Sequence, residues 1–255
     1  MRNKKVKTMK VLVQAGGQPV GFAGDAILEI AFPQFGDVRA RTVVSRSRAR
    51  PTGRYPSWKM GRMLQWESHN ELNAMRLLDA TPNVLKFSDQ PCVIRYRLGG
   101  KDFRHYPDTL VNTAKTKSFW EIKTAADARR PEIAARTRLL TELLPAKGYD
   151  YAVVLAEDLA REPRMRQARL VLKNGKAPLT FTQREYVRRL FLTVDSLPWQ
   201  DVFDGRYAPL TRQQACRLVL EGALHLDLDE PFGPMTRLTP IAGSTVLSAT
   251  GESNG

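Results

Sequence analysis

Glu67, Glu71, Asp108, Glu121 and Lys123 are the residues whose types and spacing could do chemistry. They sit in three short pieces: Trp66-Glu67-Ser68-His69-Asn70-Glu71, Tyr106-Pro107-Asp108 and Phe119-Trp120-Glu121-Ile122-Lys123. In order they read Glu … Pro-Asp … Glu-x-Lys, the acids and lysine that metal-assisted phosphodiester hydrolysis requires. A divalent metal orients a water, lowers its pKa and neutralises charge on the phosphorane oxygens. Magnesium, or manganese in its place, prefers oxygen ligands and keeps several waters, so two or three carboxylates suffice. A neighbouring lysine can position the water or stabilise the transition state.

These groups must be held by particular elements. Side chains alternate along a strand, so Glu121 and Lys123 share a face while Ile122 points to the core. Asp108 is expected on the neighbouring strand, meeting Glu121 across the sheet. Ser68 opens a helix, and Leu72, Ala74, Met75 and Leu78 give it an apolar stripe. Glu67 and Glu71 lie four apart, share a face, and are both candidate metal ligands. A helix glutamate, a hairpin, Pro-Asp, an apolar strand with Glu-x-Lys and a further helix follow the order of a restriction-endonuclease-like core.

The same stretch resembles a known family, the TnsA endonucleases of heteromeric transposases. The resembling text is Gly53-Arg54-Tyr55-Pro56-Ser57, Gly61-Arg62-Met63, Trp66-Glu67-Ser68 with Glu71, Asp89-Gln90-Pro91, Tyr106-Pro107-Asp108-Thr109-Leu110-Val111 and Trp120-Glu121-Ile122-Lys123. The resemblance implies that Glu71 is the catalytic glutamate, Asp108 and Glu121 are metal ligands, and Lys123 is the catalytic lysine. Family members often carry an aromatic where this chain has Thr109. The resemblance further implies nicking of the 5′ ends of a transposon in cut-and-paste transposition. Its expected partners are double-stranded transposon ends, a transposase subunit of the integrase class and an AAA+ regulator.

The net charge of +14 points to a polyanionic partner. It is uneven: residues 1–60 hold 12 Lys and Arg against 3 Asp and Glu, whereas residues 157–255 hold 13 against 12. Arg46, Arg48, Arg50 and Arg54 form an arginine-rich turn ahead of the site, suited to clamping a DNA backbone. No apolar run is long enough to cross a membrane, and no signal peptide is expected, because Met1–Lys10 is charged with no apolar block behind it. Cys92 and Cys216 are expected to be free buried thiols in a reducing cytoplasm. With the implied activity, this places the chain in a bacterial cytoplasm, at the nucleoid.

The expected fold is α/β, a restriction-endonuclease-like mixed-sheet core followed by a winged-helix-like helical domain. Residues 1–60 form a basic arm, 61–160 the catalytic core, 161–242 the C-terminal domain and 243–255 a disordered tail. Val38–Val44 is expected to be an edge strand, and Ala26–Phe32 is a short strand or a helix. Tyr55–Gly61 leads into the first core helix, Glu67–Asp79. The Gly99-Gly100 pair closes a hairpin whose second limb carries Phe103, a surface His105 and Asp108, bringing it beside the Glu121 strand. One helix follows Thr124, with Pro131 in its first turn and Arg129, Arg130, Arg136 and Arg138 near its outer face. Tyr149–Ala156 is an apolar strand typical of a sheet centre. Arg161–Ala177 is a polar boundary; helices at Thr182–Val194, Leu197–Asp204 and Thr211–Glu221 and a hairpin then complete the chain.

Two other functions fit this text. One is a restriction or repair nuclease acting alone on the same core. The other is a catalytically silent DNA-binding assembly module, against which the intact acids and lysine count.

Overall fold

The computed structural model describes residues 24–34, 39–40 and 51–242. The protein is α/β. Its elements are β1 (Ala26–Ala31), β2 (Gly53–Ser57), β3 (Arg62–Trp66), α1 (His69–Ala80), β4 (Val84–Asp89), β5 (Val93–Leu98), β6 (Lys101–His105), β7 (Thr109–Thr113), β8 (Lys117–Lys123), α2 (Ala125–Ala128), α3 (Pro131–Leu143), β9 (Asp150–Leu155) and α4 (Ala156–Leu159). There follow α5 (Arg164–Asn174), α6 (Phe181–Leu190), β10 (Leu197–Pro198), α7 (Trp199–Phe203), α8 (Arg212–Leu220), β11 (Leu224–His225) and β12 (Arg237–Pro240). The chain divides into two compact units. One holds the described residues up to Tyr55, with Met63–Glu71 and Lys86–Leu159; the other holds Pro56–Arg62, Leu72–Leu85 and the described residues from Ala160 on.

In the first unit, β4, β7, β8 and β9 form one mixed sheet in that order. Strands β7 and β8 pair antiparallel through Thr109↔Trp120 and Val111↔Ser118. Strands β8 and β9 run parallel, joining Glu121 to Val153 and Lys123 to Leu155. Phe119, Trp120, Glu121 and Ile122 are all buried, so β8 is covered on both faces. A second sheet, β1-β5-β6, buries only one face. On β5, Ile94 and Tyr96 are buried while Arg95 and Arg97 are exposed and paired with Glu29 and Asp102. The core between these layers contains Cys92, Ile94, Phe119, Leu140, Leu144, Tyr151 and Val153.

The hairpin is closed by Gly99 and Gly100, with φ of +57° and +76°, values that glycine adopts without steric cost. It does not enter the site sheet as expected. A strand with arginines on one face is unsuited to a sheet covered on both sides, and β5 and β6 join β1 instead. The place beside β8 is taken by β7, a strand that the sequence reading passed over. Ala26–Phe32 resolves as the strand β1. Tyr55–Gly61 is no helix lead-in: Tyr55, Pro56 and Ser57 end β2, and residues 58–61 form the turn to β3, with Gly61 at φ +61°. The strand expected at Val38–Val44 lies largely outside the described residues.

The helix expected after Thr124 is two helices. Thr124 Oγ1 accepts from Asp127 N–H and caps α2, which ends after one turn, and Pro131 then starts α3 at its N1 position. Strand β9 is apolar as read, but it forms an edge of its sheet, shielded by the packing of α3.

In the second unit, the stretch read as a polar boundary contains α5, whose Met165, Gln167, Ala168 and Val171 are buried. Gly175 ends it where a Cβ would stand 2.7 Å from Leu220 Cδ1 and 2.9 Å from Arg217 N, so only glycine permits the close approach to α8. Thr180 and Thr211 cap α6 and α8 in capping boxes with Gln183 and Gln214. The strands β10, β12 and β11 form an antiparallel sheet with β12 in the middle. Buried Asp79 accepts from Ser57 Oγ at 2.7 Å, and Lys59 Nζ donates to the carbonyls of Leu78 and Thr81 at the end of α1. Both cysteines are free and buried, and burial pushes each thiol up to about 12. Among the described residues, no helix is long and apolar enough to cross a membrane.

Candidate active site

Strand β8 supplies the centre of the site. Alternation puts Glu121 and Lys123 on one face, and Lys123 Nζ lies 2.6 Å from Glu121 Oε1. The same oxygen accepts from Arg136 Nη2 at 3.0 Å, an arginine that α3 carries in from fifteen residues downstream. Glu121 is 4 % exposed, and two cations on one oxygen compensate for burying its charge. Its other oxygen, Oε2, lies 3.4 Å from His105 Nε2 yet receives no hydrogen bond.

Asp108 stands just before β7. Continuing the β7–β8 register one step past Thr109↔Trp120 sets Asp108 opposite Glu121. Its Oδ2 accepts from the Ile122 backbone N–H at 2.6 Å. Burial, with the nearby charges of Glu121 and Glu71, holds the Asp108 carboxyl well above the usual carboxylate range, although Lys123 and the Ile122 N–H pull the other way.

Glu71 enters from the first turn of α1. Ser68 Oγ accepts from Glu71 N–H at 3.2 Å and its hydroxyl donates to Glu71 Oε1 at 3.0 Å, while Glu67 N–H donates to Glu71 Oε2 at 2.9 Å. The acid thus also completes the start of its own helix, where negative charge is favoured. Burial raises its pKa. Glu67 instead accepts from Gln90 Nε2. Burial lowers the Lys123 pKa, but the charges of Glu121 and Asp108 outweigh it and raise the group above 10.5.

The structure therefore brings Glu71, Asp108, Glu121 and Lys123 into electrostatic contact, while Glu67, expected to open the helix, lies in the bend before α1, which starts at His69. Arg54 is exposed on β2; Arg46, Arg48 and Arg50 lie outside the described residues. Two further participants were not read from the sequence. His105 is no surface residue: it is 5 % exposed, and its Nε2 is 3.0 Å from the Tyr151 hydroxyl. Burial pushes the imidazole down to about 2 and keeps it neutral. Arg136, read with the outer face of its helix, is turned inward to Glu121. The period-2 alternation through Ile94, Tyr96, Phe103 and His105 marks His105 as core-facing, but the Tyr151 and Arg136 contacts are long-range and leave no local signal.

Among the described residues, no group of three or more His, Cys, Asp or Glu side chains is arranged to hold a metal ion. The donor chemistry nonetheless suits a hard cation: Asp108 and Glu121 face each other, burial and the neighbouring acids outweigh Lys123 and the Ile122 N–H at Asp108, and Glu121 Oε2 is a buried acceptor with no donor. Comparison with known proteins finds no family model that matches the chain and no curated protein that matches it.

Proposed function

We propose that this chain is a magnesium- or manganese-dependent DNA endonuclease that nicks the 5′ ends of a transposon, acting with a transposase partner. The observation that carries the reading is the convergence of Asp108, Glu121, Lys123 and Glu71 from three separated pieces of sequence onto one face of β8. The run of motifs resembling TnsA endonucleases supports the transposon role. In this reading α1, β4, β7, β8, α3 and β9 form the restriction-endonuclease-like core, residues 61–160. The helices α6, α7 and α8 with the sheet β10-β12-β11 form a winged-helix-like domain within 161–242, near neutral in charge and suited to a protein partner such as the AAA+ regulator. The basic N-terminal arm, with Arg46, Arg48, Arg50 and Arg54, meets the DNA backbone, and the protein works in the bacterial cytoplasm at the nucleoid.

Asp108 and Glu121, joined by Glu71, would hold the metal, which when bound supplies charge neutralisation and an acidified water. Lys123, kept charged by Glu121 and Asp108, stabilises developing negative charge on the scissile phosphate. Arg136 and Lys123 hold the Glu121 carboxylate through Oε1, and Oε2, on the side of neutral His105, is left without a donor.

The test is cleavage of labelled duplex carrying the element's ends with magnesium or manganese, with and without the transposase of the integrase class. Nicking that needs the partner and is lost in Asp108→Ala and Lys123→Ala supports the proposal. Cutting by the chain alone would make it a restriction or repair nuclease. DNA binding without cutting in any combination would leave an assembly module.

A further inference from the structure

A cleft of about 150 Å³ opens at Glu67, just ahead of α1, lined by Arg54, Trp66, Glu67 and Gln90 among others. It has far more room than the roughly 10–15 Å³ that admits one water. Gly53, Trp66 and Gln90 belong to sequence pieces that the proposed chemistry leaves without a role.

Their arrangement is specific. A Cβ on Gly53 would stand 2.4 Å from Trp66 Cζ2, so the indole lies against bare backbone. Trp66 Nε1–H is buried with no acceptor, and Gln90 Oε1 is buried with no donor. The amide orientation of Gln90 is fixed chemically: its Nε2 donates to Glu67, whose carboxylate accepts, which leaves Oε1 over. Gln90 holds a left-handed φ of +43°, unfavourable for a side chain of its type, and its N–H donates to Asp108 O at 3.0 Å. Arg54 is exposed and makes no ion pair among the described residues. Buried donors and acceptors are ordinarily satisfied, so an unmet donor and an unmet acceptor, both set back from solvent on two residues that line one cleft, point to a ligand that carries both complements and meets them once the side chains turn to it.

We propose that this cleft receives one nucleobase of the DNA being cut, unstacked from its neighbours, with an acceptor on Trp66 Nε1, a donor on Gln90 Oε1 and the adjoining phosphate on Arg54. The Watson–Crick edge of every base carries an acceptor beside a donor, so the cleft reads an extruded base without fixing its identity. A phosphate oxygen would repel Gln90 Oε1 and leave it unmet. Through Gln90 the occupant is linked to Glu67 on one side and to the Asp108 backbone on the other. The inference rests on the nuclease reading of the neighbouring carboxylates.

The experiment uses the full chain labelled with ¹⁵N at its tryptophan indoles, in EDTA so that no cleavage occurs, with Trp66→Phe assigning the Trp66 resonance. The probes are a duplex with a three-nucleotide single-stranded overhang, the same duplex blunt-ended, and inorganic phosphate. The Trp66 indole resonance moves downfield with the overhang duplex and stays in place with phosphate. Trp66→Phe and Gln90→Met each weaken overhang binding about five- to tenfold, the loss of one buried hydrogen bond, and change blunt-duplex binding less than twofold. A Trp66 resonance unmoved at saturating overhang DNA, an equal movement with phosphate, or equal losses for both duplexes would overturn the proposal. Magnesium-dependent cleavage is scored separately. Cleavage with an unmoved Trp66 removes the cleft alone, and a moved Trp66 with no cleavage removes the nuclease reading alone.

Discussion

Lys123 Nζ and Arg136 Nη2 converge on the same oxygen of Glu121, at 2.6 and 3.0 Å, and leave the other oxygen without a donor. One carboxylate is thus divided into a neutralised half and a free half. The division fixes its rotamer and presents a single acceptor on the side of His105 and Tyr151.

Removing Lys123 alters function more than folding, because Arg136 still neutralises Glu121. Single-turnover nicking by Lys123→Ala in magnesium falls by about 10²–10³-fold, the scale of losing one preorganised charge donor. Lys123→Arg does not restore it, since a planar guanidinium places its charge differently from a compact ammonium. An arginine variant as fast as wild type would show that only net charge matters there.

Asp108 makes the metal-free fold less stable. Its pKa is higher in the folded chain than the 3.8 of the unfolded one, so stability falls as pH rises from about 3.8 through the folded value. Asp108→Asn keeps an acceptor for the Ile122 N–H without the charge. In EDTA at pH 7 its melting temperature rises by about 2–4 °C, equivalent to roughly 1 kcal/mol, and the gain shrinks towards pH 4. A lower melting temperature for the asparagine variant would contradict the repulsion inferred among Asp108, Glu121 and Glu71.

Glu67 and Glu71 separate by role. Glu71→Gln keeps one oxygen to accept from the Glu67 N–H and turns its amide N–H towards Ser68 Oγ, which can accept, so its stability stays within about 0.5 kcal/mol of wild type, the range of mild substitutions. Its nicking rate drops at least about 10²-fold, the scale of losing one essential charged group. Glu67→Gln slows nicking by less than about tenfold, because that side chain is committed to Gln90. The reverse order of rates would transfer the ligand role to Glu67.

His105 is an acid-sensitive point. Its folded pKa of about 2 lies below the unfolded 6.5, so the unfolded chain takes up a proton that the folded chain refuses. Stability is therefore lost as pH falls below 6.5, by up to about 1.4 kcal/mol per unit. Urea midpoints in EDTA at pH 7, 6 and 5 fall more steeply for wild type than for His105→Gln. The Asp108 contribution is common to both proteins and cancels; parallel slopes would mean that the imidazole is protonated in the fold.

Much of the site was legible because it is local. The Glu121 and Lys123 pair follows from strand alternation, Glu67 and Glu71 from their spacing of four, with Glu71 singled out only by the family resemblance, and the hairpin from Gly99-Gly100. Strand β7 escaped notice because its five residues mix Thr109, Asn112 and Thr113 with only two apolar side chains, and its burial comes from β8 rather than from its own pattern. Helix α5 was hidden by its arginines: Arg166 and Arg169 face solvent and, with Arg164 paired to Asp229, mask the buried Met165, Ala168 and Val171. Arg136 and Tyr151 meet Glu121 and His105 only through the crossover that brings α3 and β9 back to β8, which no local spacing records.

The Ile122 amide is bonded to a side chain, Asp108 Oδ2, and not to a carbonyl of the neighbouring strand. Its proton is therefore a resident reporter of that carboxylate. Protonation of Asp108, or engagement of its oxygens by a cation, alters the acceptor strength that this one N–H feels. The ¹H shift of Ile122 then follows the charge state of the site with no label on the site itself.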